Sequence, residues 1–242
     1  MKESEKVINW IRQYFEENGK SCNAVIGISG GCDSSVNAAL LVKALGKERV
    51  IGVLLPEGVQ DDIQDSYDIC NYLGISYVEI NIKDAVDGLS KEVGKALNVN
   101  PNEFDIYKTN TPARIRMTAL YGVSALNNGR VVNTCNLSED YVGYNTKFGD
   151  SAGDFSPLCM YTKTEVKEIA KELRLPEKYY KKIPTDGMSG KSDEEKLGFS
   201  YDELDVYIRT GKIDNLAAKE KIDRLHQINM HKLLPMPHYE KK

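Results

Sequence analysis

The stretch Gly27-Ile28-Ser29-Gly30-Gly31-Cys32-Asp33-Ser34-Ser35 joins the end of an apolar run, Val25 to Ile28, to a helical pattern, Val36 to Leu45. This order predicts a strand, a tight turn and the start of a helix. Because Gly30 and Gly31 carry no side chain, the turn can curl and direct successive backbone N–H groups toward one point. The N-terminus of the helix adds unpaired N–H groups of its own. We therefore expect the stretch to bind an anion, and a phosphate in particular.

The side chains of the same turn fit a phosphate and a cation together. Ser29, Ser34 and Ser35 add hydroxyl donors, whereas the carboxylate of Asp33 would repel a bare phosphate. A divalent cation between that carboxylate and the phosphate oxygens removes the conflict. The turn is not a Walker A loop, because it lacks the Gly-Lys-Ser/Thr ending. The alternative is a helix that is merely capped by Ser29 or Asp33, with glycines that only permit the turn.

Composition limits the class of protein. A chain of 242 residues is long enough for one substantial α/β domain with extensions, and we expect residues 1–242 to form that single domain. The hydrophobic share of 41% and the charged share of 28% are ordinary for a globular protein. A formal net charge of −4 gives no sign of a nucleic-acid-binding surface. No apolar run is long enough to span a membrane, and the first residues lack a signal core, so we expect a cytoplasmic protein without nucleic-acid or membrane partners.

The cysteines and histidines indicate neither a disulfide framework nor a zinc site. The cysteines are odd in number, scattered and free of any Cys-x-x-Cys pair, at positions 22, 32, 70, 135 and 159. The histidines lie near the C-terminus without the spacing of metal ligands, at positions 226, 231 and 238.

Alternating strand and helix patterns predict the fold. An amphipathic helix is expected before Gly19, and buried strands are expected at about 23–28, 50–55, 75–82 and 130–134. Helices are expected between and after them, at 34–45, 61–73, from Asp84 to about Leu97, 111–126, 162–173, 201–208 and 216–230. This alternation is typical of an α/β fold, a doubly wound parallel sheet flanked by helices.

Two further features concern the functional edge of this sheet. Thr111 and Pro112 are suited to begin a helix, so residues 98–110 before them are expected to be a loop. Residues 135–160 lose all periodicity and contain several glycines, which predicts a long irregular segment. Because this segment follows a strand, it should lie where ligands collect in such folds.

The turn at Gly27 to Ser35 resembles the pyrophosphate-binding loop of the ATP pyrophosphatases, which adenylate their substrates. This superfamily includes NAD synthetases, GMP synthetases, asparagine synthetases and tRNA-thiolating enzymes. The order of the other motifs resembles the ammonia-dependent NAD synthetases. Those motifs are Asn110-Thr111-Pro112-Ala113-Arg114, Asn136-Leu137-Ser138-Glu139, Thr146-Lys147-Phe148-Gly149-Asp150 with Asp154, Lys163-Thr164-Glu165, Ile183-Pro184-Thr185, Ser192-Asp193-Glu194-Glu195 and His231-Lys232.

The resemblance implies amidation of nicotinic acid adenine dinucleotide (deamido-NAD) with ATP through an acyl-adenylate, giving NAD, AMP and pyrophosphate. It also implies Mg²⁺, held by Asp33 and Glu139. The implied ATP-binding residues are Gly27, Ile28, Ser29, Gly30, Gly31, Cys32, Asp33, Ser34, Thr134, Lys163 and Thr185. The implied deamido-NAD-binding residues are Arg114, Lys147, Asp154, His231 and Lys232. The resemblance identifies no side chain as a catalytic acid, base or nucleophile.

The resemblance further implies a homodimer, with the deamido-NAD site at the interface beside the helix after Thr111. Free ammonia is the expected nitrogen donor, since the synthetase motifs leave no room for an amidase domain; a separate glutaminase subunit is the alternative. The chain departs from many relatives at Asn133, Cys135, Leu137 and Leu233. Two other readings stay open: another adenylating or thiolating enzyme of the superfamily, and a non-catalytic sensor of adenine nucleotides.

Overall fold

The computed structural model describes residues 1–182 and 192–240. The strands found there are β1 (Asn23–Gly27), β2 (Val50–Leu54), β3 (Ser76–Glu79) and β4 (Gly129–Val131). They form one parallel sheet in the order β3-β2-β1-β4. Val25 in β1 lies opposite Ile51 on one side and Val131 on the other. The predicted parallel sheet is thus confirmed, although β3 and β4 are shorter than expected.

Helices cover both faces of the sheet. They are α1 (Glu3–Asn18), α2 (Cys32–Leu45), α3 (Ile63–Leu73), α4 (Lys83–Leu97), α5 (Asp105–Leu126), α6 (Leu137–Val142), α7 (Lys163–Glu172), α8 (Glu177–Lys181), α9 (Asp193–Leu197), α10 (Tyr201–Thr210) and α11 (Leu216–Leu233). Residues pointing to one face, such as Ala24 and Ile26, share a core with α1, α2 and α7. Residues pointing to the other, such as Val25, pack with Met117 and Leu120 of α5. This is the expected doubly wound arrangement.

The position of β1 determines where a ligand can bind. The chain after β1 turns into α2 on one face of the sheet, while β4 on its other side follows α5 on the opposite face. A crevice opens between neighbouring strands whose connections leave in opposite directions, at the carboxyl ends of those strands. The glycine turn and the residues after β4 therefore border the same crevice.

Two local predictions are wrong. Helix α5 begins at Asp105 rather than Thr111, and Pro112 lies inside it, buried together with Thr111. A proline removes only one helical hydrogen bond, and long-range contacts stabilise the early turns; the hydroxyl of Thr146, for example, donates to Asn110 at 3.0 Å. Second, the segment expected to be irregular contains α6, which is capped by Asn136.

The last helices have a core of their own. Side chains of α6, α9, α10 and α11 pack together, among them Val142, Leu204 and Ile222. The expectation of a single domain stays a prediction. In residues 1–182 and 192–240, no helix has both the length and the apolar character needed to cross a lipid bilayer.

Candidate active site

The glycine turn lies directly against α3. Gly30 has a φ of +72°, and a Cβ atom there would lie 2.7 Å from Cβ of Asp65. Both facts exclude any larger residue at this position without strain. Ser29 and Ser34 face each other across the turn with their hydroxyl oxygens 3.1 Å apart. The N-terminus of α2 is thereby directed into the crevice, with Asp33 in its first turn.

Three charged side chains from distant parts of the sequence meet beside this turn. The Nζ atom of Lys163 lies 2.5 Å from Oδ2 of Asp33 and 3.0 Å from Oε1 of Glu139. The Lys163 side chain is 4% exposed, and those of the two carboxylates are 16% and 17% exposed. The structure therefore brings together the two carboxylates predicted to hold Mg²⁺ and a lysine predicted to hold ATP.

The buried cluster changes the acidity of its members. Burial opposes the charge on Lys163, but the carboxylates of Asp33 and Glu139 outweigh it and hold the lysine pKa well above its ordinary value. The pKa of Glu139 is raised to about 7, because burial and the charge of Asp33 together outweigh the opposing effect of Lys163. A cation that binds the Glu139 carboxylate is therefore expected to displace a proton from it.

Two residues that the sequence analysis did not assign to the site hold this cluster in place. Asn136 is fully buried; its Nδ2 donates to Oδ1 of Asp33 at 3.1 Å, and its Oδ1 accepts the backbone N–H of Glu139 at 3.1 Å. Ser138 accepts the backbone N–H of Lys163 at 2.9 Å. The spacing of Asn136 and Glu139, a helix cap followed three residues later by an acidic residue, is a signal that could have revealed α6.

The remaining predicted ATP residues differ in what the structure says about them. Thr134 is half-buried and follows β4 at the carboxyl edge of the sheet, as expected. Cys32 begins α2, and burial together with the nearby Asp33 raises the pKa of its thiol to about 12, which keeps it protonated. A nucleophilic role for this thiol is therefore unsupported. Thr185 lies outside the described residues.

Four of the five residues predicted to bind deamido-NAD meet in a basic corner made by Arg114, Lys147, His231 and Lys232. The Nε atom of Arg114, on α5, donates to the carbonyl of Lys147 at 3.2 Å. The Nζ atom of Lys147 donates to the carbonyl of His231 at 2.5 Å. Lys232 donates to the carbonyls of Gly143 and Asn145 at 2.7 and 2.9 Å. These bonds use backbone oxygens, and within residues 1–182 and 192–240 no carboxylate forms an ion pair with Arg114, Lys147 or Lys232, although Asp150 is near enough to interact with the charge of Lys232.

Asp154, the fifth predicted residue, lies away from the basic corner. Its Oδ2 accepts the backbone N–H of Val131 at 2.7 Å, and its Oδ1 accepts the hydroxyl of Tyr121 at 3.2 Å. Tyr121 is on α5, seven residues after Arg114, which is a separation of about 10 Å along the helix. The residues predicted to bind deamido-NAD thus contact α5 at two places along its length.

The arrangement of glycine turn, buried carboxylates and basic corner agrees with comparisons to known proteins. The sequence matches the NAD synthase family over residues 3–241. The chain belongs to the NAD synthase family. It is 42% identical to the NH(3)-dependent NAD(+) synthetase of Pyrococcus horikoshii over 220 residues, covering 90% of this chain and 82% of that protein.

Solved structures of the family have the same fold. NMN synthetase from Francisella tularensis superposes with a TM-score of 0.88 at 33% identity, covering 98% of both chains. NH3-dependent NAD synthetase from Campylobacter jejuni, in complex with the nitrate ion, has a TM-score of 0.79 at 30% identity and covers 99% of this chain and 97% of that one. The family resemblance, the fold and the class of reaction, a carbon–nitrogen ligation, are therefore confirmed.

Proposed function

We propose that this member of the NAD synthase family amidates deamido-NAD with ATP and ammonia, and that the crevice at the carboxyl ends of β1 and β4 is where it does so. The observation that carries the proposal is the buried cluster of Asp33, Glu139 and Lys163 beside the glycine turn. An anion-binding turn with charges of both signs suits a triphosphate and its cation.

The chemistry needs an activated carboxylate, because ammonia cannot displace oxide from a free one. An oxygen of the deamido-NAD carboxylate attacks the α-phosphorus of ATP, and the bond to the β-phosphate breaks. Pyrophosphate leaves, and the nicotinoyl group is now joined to AMP. Ammonia then attacks the carbonyl carbon, AMP leaves, and loss of a proton gives the amide.

The residues of the turn act on the leaving pyrophosphate. Its negative charge grows as the bond breaks, so N–H groups of the turn and of the first turn of α2 bind it more tightly in the transition state than in ATP. The hydroxyls of Ser29 and Ser34 already lie 3.1 Å apart on this side of the turn, which limits the reorganisation needed. Lys163 supplies a point charge for the phosphates.

The donor set fits Mg²⁺. Asp33 and Glu139 offer hard carboxylate oxygens around a point where a cation, the Nζ of Lys163, already lies. Mg²⁺ is commonly bound by only one or two carboxylates together with substrate phosphates. Within residues 1–182 and 192–240, no group of three or more His, Cys, Asp or Glu side chains could hold a metal by itself. When bound, Mg²⁺ would neutralise charge on the phosphate oxygens.

Lys163 would have to move for Mg²⁺ to bind Oδ2 of Asp33 and Oε1 of Glu139. Its ammonium group contacts both carboxylates, so it competes with the metal for the same oxygens. Once displaced, it is free to bind a phosphate of ATP. Metal and nucleotide are therefore expected to bind together, each removing part of the cost of binding the other.

The basic corner suits the acceptor. Deamido-NAD carries a pyrophosphate and a carboxylate, and Arg114 and Lys147 face that corner without a carboxylate partner in the part of the chain that the structure describes. Asp154, which accepts from Tyr121 about two helical turns further along α5 than Arg114, would accept from ribose or help to place the nicotinate end. The separation of Asp154 from the basic corner favours a dinucleotide over a shorter acceptor.

A second candidate acceptor follows from the structural comparison. The Francisella tularensis protein is an NMN synthetase, and its TM-score of 0.88 exceeds the 0.79 of the Campylobacter jejuni NAD synthetase. Nicotinic acid mononucleotide contains the same carboxylate as deamido-NAD but lacks the adenylate half. Its carboxylate would be activated by the same glycine turn and buried cluster, and part of the surface beside α5 would remain empty.

The homodimer is likewise a proposal. Apolar side chains are exposed along α4, α5 and the segment between them, and these are Leu89, Leu97, Val99, Phe104 and Ile106. Such a surface is typical of a protein interface. We expect a dimer by analytical ultracentrifugation, and a monomer for Ile106→Asp. The cytoplasmic location stays a prediction.

One assay tests the function. Purified protein is incubated with ATP, Mg²⁺ and ammonium and with either deamido-NAD or nicotinic acid mononucleotide, and AMP, NAD and NMN are measured. We expect NAD and AMP in equal amounts, loss of both in Asp33→Ala, and full activity in the control Asp84→Ala, an exposed residue of α4. NMN as the preferred product would establish the second candidate. No AMP with either acceptor would refute the synthetase function.

A further inference from the structure

A buried carboxylate on α10, Asp205, joins the helix that carries Glu139 to the helix that carries Lys163. Asp205 is 5% exposed. Its Oδ1 accepts the hydroxyl of Ser138, the residue before Glu139 on α6. Its Oδ2 accepts both the backbone N–H and the hydroxyl of Thr164, the residue after Lys163 on α7, at 2.7 and 2.5 Å. One carboxylate thus fixes the direct sequence neighbours of two site residues.

These contacts provide hydrogen-bond acceptors for the first two backbone N–H groups of α7. A helix begins with N–H groups that have no partner within the helix. In α7 the first belongs to Lys163 and is accepted by Ser138 at 2.9 Å; the second belongs to Thr164 and is accepted by Asp205. The negative charge of Asp205 also lies at the positive end of the helix dipole. The backbone of Lys163 is therefore held by α6 and α10 together.

Asp205 forms no ion pair within residues 1–182 and 192–240. No lysine or arginine nitrogen in that part of the chain lies within 4.0 Å of its carboxylate. Arg209, one turn further on α10, pairs with Glu165 and affects Asp205 only through the longer-range attraction of its charge. A buried anion without a counter-ion is expensive, and a neutral residue could hold α10 against its neighbours as well. A carboxylate can accept from three donors on two helices at once, whereas a neutral amide in the same place cannot.

We propose that Asp205 is a positioning residue for the ATP site, which keeps Glu139 and Lys163 at the separation that the phosphates and their cation need. The proposal rests on the proposed function of that cluster. Asp205 touches neither substrate; it acts through Ser138 and Thr164. The basic corner is fixed by other bonds, those of Lys147 and Lys232 to the backbone, so the acceptor site is expected to be independent of Asp205.

The test compares Asp205→Asn, Ser138→Ala and the double variant with the wild type. The amide has the shape of the carboxylate but cannot accept from all three donors. We expect kcat/KM for ATP to fall 10- to 100-fold, as for other residues that orient a site, while KM for deamido-NAD stays within about twofold. The double variant should be little worse than either single one, since both act through the same chain of hydrogen bonds. The dissociation constant of ATP with Mg²⁺, measured by calorimetry, should rise in parallel.

Asp223→Asn is the matched control. Asp223 on α11 accepts the hydroxyl of Tyr207 on α10 at 2.7 Å, so the variant removes the charge from a different carboxylate contact of α10 without reaching the site. The proposal is overturned if Asp205→Asn lowers the melting temperature but leaves ATP affinity within twofold of wild type. It is also overturned if KM for both substrates rises equally, or if Asp223→Asn does the same as Asp205→Asn. If Asp205→Asn does not fold, Ser138→Ala decides. A wild type that binds ATP without forming NAD would refute the proposed function, while the ATP affinities would still test Asp205.

Discussion

Replacement of Lys163 by methionine tests whether this lysine takes the place of the metal between Asp33 and Glu139. Methionine has a similar length and no charge. It leaves two carboxylates, 16% and 17% exposed, facing each other without a cation. Removing one partner of a buried ion pair typically costs about 3–5 kcal/mol of folding free energy. Glu139, whose burial already raises its pKa to about 7, can take up a proton and relieve part of this cost, so we expect the lower end, about 3 kcal/mol.

That loss is measurable by calorimetry or by thermal unfolding monitored with circular dichroism. For a chain of this size, about 3 kcal/mol corresponds to a drop in melting temperature on the order of 10 °C when Mg²⁺ is absent. The control is Lys20→Met, which removes an exposed ion pair with Glu16 on α1 and should leave the melting temperature unchanged.

Added Mg²⁺ should then reverse the effect. In the variant the metal no longer competes with an ammonium group, so it binds more tightly, and every tenfold excess over its dissociation constant adds about 1.4 kcal/mol of stability. We expect Mg²⁺ to raise the melting temperature of Lys163→Met by more than it raises that of the wild type. Turnover should still be lost, because the phosphates of ATP lose a cationic partner. The reasoning is wrong if the variant is as stable as wild type without Mg²⁺, or if the metal stabilises the two equally.

Three further predictions concern single residues. The pKa of Glu139 is raised to about 7 and the metal needs the deprotonated carboxylate, so the affinity for Mg²⁺ should fall as the pH drops below about 7. Titration calorimetry in two buffers should show that Mg²⁺ binding releases protons. No proton release at pH 6.5 would contradict this prediction. In Gly30→Ala, the alanine must adopt a φ of +72° and displace Asp65. We therefore expect the free energy of unfolding, measured in urea, to fall by about 1–3 kcal/mol and the affinity for ATP to weaken. If neither quantity changes, the turn is not as tight as the structure shows. Arg114→Ala should raise KM for deamido-NAD about tenfold and leave KM for ATP unchanged; a rise in the latter alone would place Arg114 in the ATP site.

The extent of sequence-based prediction differs between local and long-range features. The turn from Gly27 to Ser35 could be read directly, since the residues that need a positive φ and those that donate to an anion are neighbours in the chain. The four strands could be read from runs of apolar residues, and their parallel pairing from the helices between them. The start of α5 could not be predicted in this way. Thr111 and Pro112 are a valid local signal for a helix start, but contacts of residues 90 and 146 with the preceding turns stabilise a longer helix.

The sequence by itself determined the family, through the order of its motifs, and the sheet with an anion-binding turn at one edge. Only the tertiary structure decided which charges meet. Asp33, Glu139 and Lys163 are separated by more than 100 residues at the widest, and their contact depends on the packing of α2, α6 and α7 around the end of β1. The role of Asp205 could not be predicted from the sequence for the same reason, because its partners lie on α6 and α7. The residue type at a position determines the chemical groups of its side chain, but elements that pack against it from elsewhere in the chain determine its pKa, its partners and its burial.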